Sequence, residues 1–266
     1  MALPGLDVSR ASIEEGDDHL VVIALTLGVV RISRVPGTAS VMRRRSDLLT
    51  RLGHAGLPFE VPVPLSPVIE VGGYSAVAMS WIPGRAHPKD HGDPAALAAV
   101  LAAMRGVDAR SLADALEPPH AYAGGPRWAE MTLDAVRELP ADVQAEARHR
   151  IDDALALPSV PATLVHGDLG GPNMRWDEHG RLVGILDWDW ASAWDPAVDA
   201  GCLSWHGWEC VRAAVDRETY QRARVWYLTF GIEHLVAHRL RGKPGHPRVI
   251  ARTAEWIRST RDLSET

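Results

Sequence analysis

The sequence predicts an α+β fold, with a small antiparallel sheet on the N-terminal side and a larger, mainly helical C-terminal part. Three observations predict it. β-rich runs crowd into the first third: LVVIALT, VVRIS, SPVIEV and YSAVAMSW. The composition then changes at Ile82-Pro83-Gly84, and Ala- and Leu-rich helical patterns take over. Short apolar runs return only around 162–165 and 182–186, bracketing a polar stretch.

In chain order, ASIEE leads to a turn at Gly16-Asp17-Asp18, and LVVIALT and VVRIS read as strands joined near Leu27-Gly28. Residues 38–53 read as a helix, with Val41, Leu48, Leu49 and Leu52 on one face and Gly53 as its stop. Gly72-Gly73 supplies the positive φ of a second hairpin. From residue 94, PAALAAVLAAMRGV reads as a helix capped by Asp93. Residues 141–157, 217–240 and 247–262 read as further helices, the last two separated by the breaker Gly242-Lys243-Pro244-Gly245. This layout predicts an N-terminal lobe over 1–83 and a C-terminal lobe over 84–266.

The bulk numbers narrow the class. A chain of 266 residues, 46% hydrophobic and 23% charged, is folded rather than disordered. A net charge of -6 argues against a nucleic-acid partner. The N-terminus MALPGLDVSR has no apolar core of a signal peptide, and no run approaches the ~20 apolar residues of a membrane span. The cysteines, Cys202 and Cys210, make no CxxC and fit reduced core thiols of a cytoplasmic protein. The basic residues are almost all arginine; the two lysines are Lys89 and Lys243.

The chemistry concentrates in LVHGDLGGPNMRWDEHGRLVGILDWDW, residues 164–190. His166 and Asp168 follow one apolar run, Asn173 lies five residues after Asp168, and Asp187 ends a second apolar run. Asp and Asn serve turns everywhere. The joint spacing, H-x-D-x4-N with an Asp closing the next strand, is instead that of a phosphoryl-transfer loop. One carboxylate faces the incoming hydroxyl, while an amide oxygen and a second carboxylate suit Mg²⁺, which takes few protein oxygens beside phosphate and water. There is no GxSxG and no P-loop, and His179 and His206 lack a recognisable ligand spacing.

LVHGDLGGPNM with GILDWDWASAWDPAVD resembles the aminoglycoside phosphotransferase family of small-molecule kinases, within the protein-kinase-like superfamily. The resemblance covers most of the chain in layout and is most specific over 164–200. It implies a protein-kinase-like two-lobe fold, Asp168 as catalytic carboxylate, His166 in support, and Asn173 and Asp187 as magnesium ligands. It also implies that Asp199 anchors the loop, that Met79-Ser80-Trp81-Ile82 is a hinge receiving the purine, and that Arg31 sits at the position of the phosphate-binding base. The N-terminal lobe departs from the pattern. Arginine replaces lysine at 31, Arg45 stands where the helix acid partnering that base would align, and Asp47 is the only acid on that helix. The loop Glu14-Glu15-Gly16-Asp17-Asp18 is acidic and has one glycine.

The expected activity is transfer of the γ-phosphate of ATP or GTP, with Mg²⁺, to a hydroxyl of an antibiotic-like small molecule, an aminoglycoside first. A metabolic or macrolide kinase and a nucleotide-binding pseudokinase are the alternatives. Asp189, Asp195, Asp199 and Glu209 are candidate contacts for a cationic substrate, as acidic residues are in the family. The basic closing segment, Arg239, Arg241, Lys243, Arg248, Arg252, Arg258 and Arg261, points the other way. Of Trp188, Trp190, Trp194, Trp205 and Trp208, most are expected in the core and one or two in a pocket wall. A monomer or dimer without nucleic acid or membrane partners completes the expectation.

Overall fold

The computed structural model describes residues 11–16, 19–24, 28–242 and 245–263. The 1–10 segment, the tip at Asp17-Asp18, the join at Leu27 and Lys243-Pro244 of the breaker lie outside the described residues. In chain order the strands and helices are β1 (Ser12–Glu15), β2 (His19–Ala24), β3 (Gly28–Ser33), α1 (Ala39–Gly53), β4 (Ile69–Val71), β5 (Tyr74–Met79), α2 (Pro94–Arg105), α3 (Trp128–Ala135) and α4 (Ala141–Ala156). Then follow β6 (Thr163–Val165), β7 (Met174–Trp176), β8 (Leu182–Ile185), β9 (Ser192–Trp194), α5 (Ala197–Cys202), α6 (Trp208–Ala214), α7 (Arg217–Leu240) and α8 (Pro247–Ser259). Two compact units emerge: one holds residues up to 88 with 111–116 and 171–189, the other 89–110, 117–170 and 190 onward.

The first unit is built on a five-stranded antiparallel sheet in the order β1-β2-β3-β5-β4. Gly72 and Gly73 turn β4 into β5 with φ of 60° and 84°, the left-handed pair that a tight hairpin requires. Helix α1 buries Ala39, Met42, Leu48, Leu49 and Leu52. Met42 takes the core place expected of Val41, which is half-buried. Gly53 is the last residue of α1 and does not make a left-handed turn; a Cβ there would lie 2.7 Å from Val63 Cγ1, so glycine suits the close approach of Val63. The β7–β8 hairpin joins this unit through backbone ladders: Ile185 N–H donates to Glu60 O at 2.9 Å, and Trp176 exchanges two 2.9 Å bonds with Arg85. Gly84 has φ of 105° and its Cβ would meet Trp176 O at 2.6 Å, so the chain needs glycine where it leaves the expected hinge.

The second unit is helical, with the short β6–β9 pair. Asp93 caps α2, accepting from Ala95 N at 3.0 Å, and Asp216 caps α7, accepting from Thr219 N at 2.8 Å. The 24-residue α7 runs through the core and buries Trp226, Leu228, Ile232, Leu235 and Val236. α8 stops at Ser259, and residues 261–263 form a 3-10 turn. The short helices α3, α5 and α6 have no counterpart in the sequence pattern, because too few turns exist for a 3.6-residue period to register.

Candidate active site

Asp168 stands on the loop that leaves β6, in the second unit. The strand Thr163-Leu164-Val165 buries Leu164 and Val165 and so fixes the loop's root. His166 is fully buried, and its Nδ1 accepts the Asp168 amide at 3.1 Å. Asp199, 1% exposed on α5, accepts the His166 amide at 2.7 Å and the Gly167 amide at 3.0 Å. Two buried acceptors thus grip three consecutive amides and leave the Asp168 side chain exposed. Gly167 has φ of 82°, and its Cβ would lie 2.7 Å from Trp190 O. Burial drives the Asp199 carboxyl up to about 7, against the pull of the two amides, and the Asp168 charge adds to the rise.

Asn173, Asp187 and Arg31 belong to the first unit. Leu186 N donates to Asn173 O at 2.8 Å, which extends the β7–β8 ladder and sets Asn173 beside the residue preceding Asp187. Asp187 has φ of 59°, a left-handed conformation uncommon outside glycine, and half its side chain is exposed. Trp188 is buried and its Nε1 donates to Ile185 O at 2.9 Å, which locks the 3-10 turn 188–190 onto β8. An amide and a carboxylate are the hard oxygen donors that Mg²⁺ accepts in pairs, with phosphate and water completing its shell. Among the described residues no group of three His, Cys, Asp or Glu forms a denser metal cage.

Arg31, on β3, does not meet Asp47. Its Nη1 and Nη2 donate to Asp189 Oδ1 at 3.0 Å and Oδ2 at 2.8 Å, and Nη2 lies 3.6 Å from Asp187 Oδ1. Arg45 Nη1, from α1, donates to the same Asp189 Oδ2 at 2.7 Å. His19 Nδ1 lies 3.0 Å from Arg31 Nη2. Asp189 is 5% exposed. Burial alone would raise its carboxyl, but the Arg31 and Arg45 guanidiniums with His19 outweigh it and hold it below the usual carboxylate range. Asp47 is spent on Arg51 at 2.5 Å, and Arg51 also reaches Asp114 at 2.7 Å.

The expected acidic substrate contacts divide. Asp189 is a partner of arginines. Asp195, 5% exposed, is a core carboxylate: it caps Ala197 N at 2.9 Å and accepts from Arg222 Nη2 at 2.6 Å and Trp226 Nε1 at 2.7 Å. Asp199 is committed to the loop amides. Those bonds and that burial are the physical reason none of the three presents a carboxylate to a substrate. Glu209 is exposed on α6, 2.5 Å from Arg212. Met79 is buried in β5 and Trp81 is 37% exposed. In the basic closing segment, Arg239 pairs with Asp134 and Glu138, and Arg258 with Asp142, so these charges serve helix packing. Cys202 and Cys210 are unpaired thiols, and burial pushes Cys202 well above its ordinary pKa.

Sequence reasoning missed Asp189, Arg45 and His19 as one cluster. The available signal was an arginine in the place of an acid, which requires a carboxylate from elsewhere, and the second Asp of DWD supplies it.

Residues 11–233 match the model of the phosphotransferase enzyme family. The chain belongs to that family. It is 31% identical to viomycin phosphotransferase of Streptomyces vinaceus over 218 residues, 76% of this chain and 75% of the relative. The uncharacterized protein YcbJ of Bacillus subtilis (strain 168) is 43% identical over 49 residues, 18% of this chain and 16% of the relative. The fold superposes on a GDP and kanamycin complex of an aminoglycoside phosphotransferase with a TM-score of 0.82 at 17% identity, covering 100% of this chain and 97% of the other. A macrolide 2'-phosphotransferase of Brachybacterium faecium gives a TM-score of 0.66 at 20% identity, covering 95% and 94%. The aminoglycoside phosphotransferase resemblance and its α+β kinase-like fold therefore hold. The chain is a phosphotransferase with a hydroxyl acceptor. No helix among the described residues is long and apolar enough to cross a membrane.

Proposed function

We propose that this phosphotransferase moves the γ-phosphoryl group of ATP or GTP, with magnesium, to a hydroxyl of a basic antibiotic in the cytoplasm. The observation that carries the reading is the exposed Asp168 on a loop whose amides are pinned by His166 and Asp199. A carboxylate held this way aligns an acceptor hydroxyl and takes its proton as the oxygen–phosphorus bond forms and the bond to the leaving diphosphate breaks. Asn173 and Asp187 are the residues that would hold magnesium, which when bound offsets charge on the phosphates. Arg31 supplies a fixed cation for the same phosphates, and the 79–82 segment offers backbone groups to the purine. Catalysis is then mainly positioning and charge stabilisation.

The resemblance to the aminoglycoside phosphotransferase family puts an aminoglycoside first among the acceptors. The 31% identity to viomycin phosphotransferase adds viomycin, the compound that relative's name specifies. Glu209 remains the exposed acidic candidate for a cationic group. The test is a nucleoside-diphosphate release assay with ATP and GTP in turn, over viomycin, aminoglycosides and macrolides. Acceptor-dependent turnover is expected with one of the first two classes. Asp168→Ala should lower kcat by about 10²–10⁴-fold while nucleotide affinity stays close to wild type. Equal turnover in the variant would remove Asp168 from the mechanism. Nucleotide binding without transfer to any acceptor would favour the pseudokinase.

A further inference from the structure

We propose that Asp189 is the positioning carboxylate of the phosphate site, and that through it one turn of chain sets both Arg31 and Asp187. The inference rests on the kinase reading above and adds a residue and a linkage to it. Arg31 has a long, flexible side chain, and its orientation depends on what holds its guanidinium. Helix α1 does not hold it: Arg45 is a second cation, and Asp47 is occupied by Arg51. Asp189 does, with one oxygen to each Nη nitrogen at 3.0 and 2.8 Å, the two-point geometry that fixes a guanidinium's plane. The second bond to Oδ2, from Arg45 at 2.7 Å, immobilises the carboxylate in turn. With His19 counted neutral, the two guanidiniums are matched by two carboxylates, Asp189 and, 3.6 Å from Arg31 Nη2, Asp187, so each arginine is held by fixed negative charge.

The linkage to Asp187 follows from the turn. Asp187, Trp188 and Asp189 are consecutive, and the buried indole of Trp188 ties them to β8. The left-handed φ of Asp187 divides the two carboxylates: the Asp187 side chain is 49% exposed and that of Asp189 6%. The outward carboxylate is the candidate magnesium ligand and the inward one grips the base. Were the acid on α1, base and metal carboxylate would be set by separate elements. Here a displacement of the turn moves both together.

The experiment uses the full chain and moves the carboxylate. Wild type, Asp189→Asn and the double variant Asp189→Asn/Arg45→Glu are compared for binding of MgADP and MgGDP by calorimetry, with the thermal midpoint of each as a fold control. Asp189→Asn should weaken nucleotide binding by about tenfold to hundredfold, as loss of an orienting partner does, and raise the nucleotide KM but not the acceptor KM. The double variant, which returns a carboxylate to the helix beside Arg31, should regain most of that loss. Undiminished affinity in Asp189→Asn overturns the proposal alone, as does a folded double variant that regains nothing. A wild type that binds neither nucleotide overturns the kinase reading and the proposal with it. If Asp189→Asn does not fold, Asp189→Glu keeps the charge and displaces the guanidinium by one methylene. It should still weaken nucleotide binding, and unchanged affinity there is equally decisive against the proposal.

Discussion

Asp199 shows how one buried carboxyl serves the site and is exposed to pH. It is 1% exposed, accepts two loop amides, and its carboxyl is driven up to about 7 by burial and, further, by the Asp168 charge. An unfolded chain releases that proton near pH ~3.9. Between these values the native state holds a proton that the unfolded state has lost, so the contribution to stability is fully present at low pH and disappears as pH rises through about 7. The urea midpoint of wild type is therefore expected to fall from about pH 5 to about pH 8, and that of Asp199→Asn to fall less. Parallel curves for the two proteins would show that Asp199 is ionised throughout. At this scale the sequence was most legible where spacing carried the signal. His166, Asp168, Asn173 and Asp187 could be singled out because an apolar strand, a loop and a second strand fix their order. Asp195 was not legible as a core group, because a sequence does not reveal that Arg222 and Trp226, on a helix some thirty residues away, close on it.

The elements follow their local signals where the signals are strong. The Gly72-Gly73 hairpin, the Asp93 cap of α2 and the long α7 all form as the sequence predicts, because turn chemistry, capping and periodicity act within a few residues. The loop between β6 and β7 carries Asp168, and Gly167 is its tight point. Gly167→Ala would place a methyl group 2.7 Å from Trp190 O at a φ of 82°. The strain should cost about 1–3 kcal/mol of stability by chemical denaturation. Because the loop carries Asp168, kcat should fall more than nucleotide affinity does. A variant with wild-type stability and turnover would mean that the loop's conformation is adjustable, against the contacts that surround it.

At the scale of the molecule, the helical unit is organised around buried carboxylates on or beside α7. Glu233, 1% exposed, accepts from Trp128 Nε1 at 2.8 Å, from Thr229 Oγ1 at 3.0 Å and from the Tyr122 hydroxyl. Asp195 accepts from Arg222 and Trp226. Indoles at 194 and 226 pack edge to face with centroids 5.0 Å apart, which shields these groups from water. Arg222→Met would leave Asp195 buried with less than its required compensation. It should destabilise the chain by about 3–5 kcal/mol, read by thermal or urea unfolding. A loss under about 1 kcal/mol would mean that the pair is effectively solvated.

Chain order was enough for the fold class, the sheet-rich first part, the principal helices and the phosphotransferase family, since each depends on patterns within a turn or a strand. It did not decide which acids are available. Asp189, Asp195 and Asp199 are alike as letters, and each is claimed by partners far away in sequence. Arg31 and Arg45 converge on Asp189 only because β3, α1 and the turn after β8 fold into one unit. A carboxylate's role is set by its desolvation and by the charges within a few ångströms of it, and those distances exist only after the chain has folded.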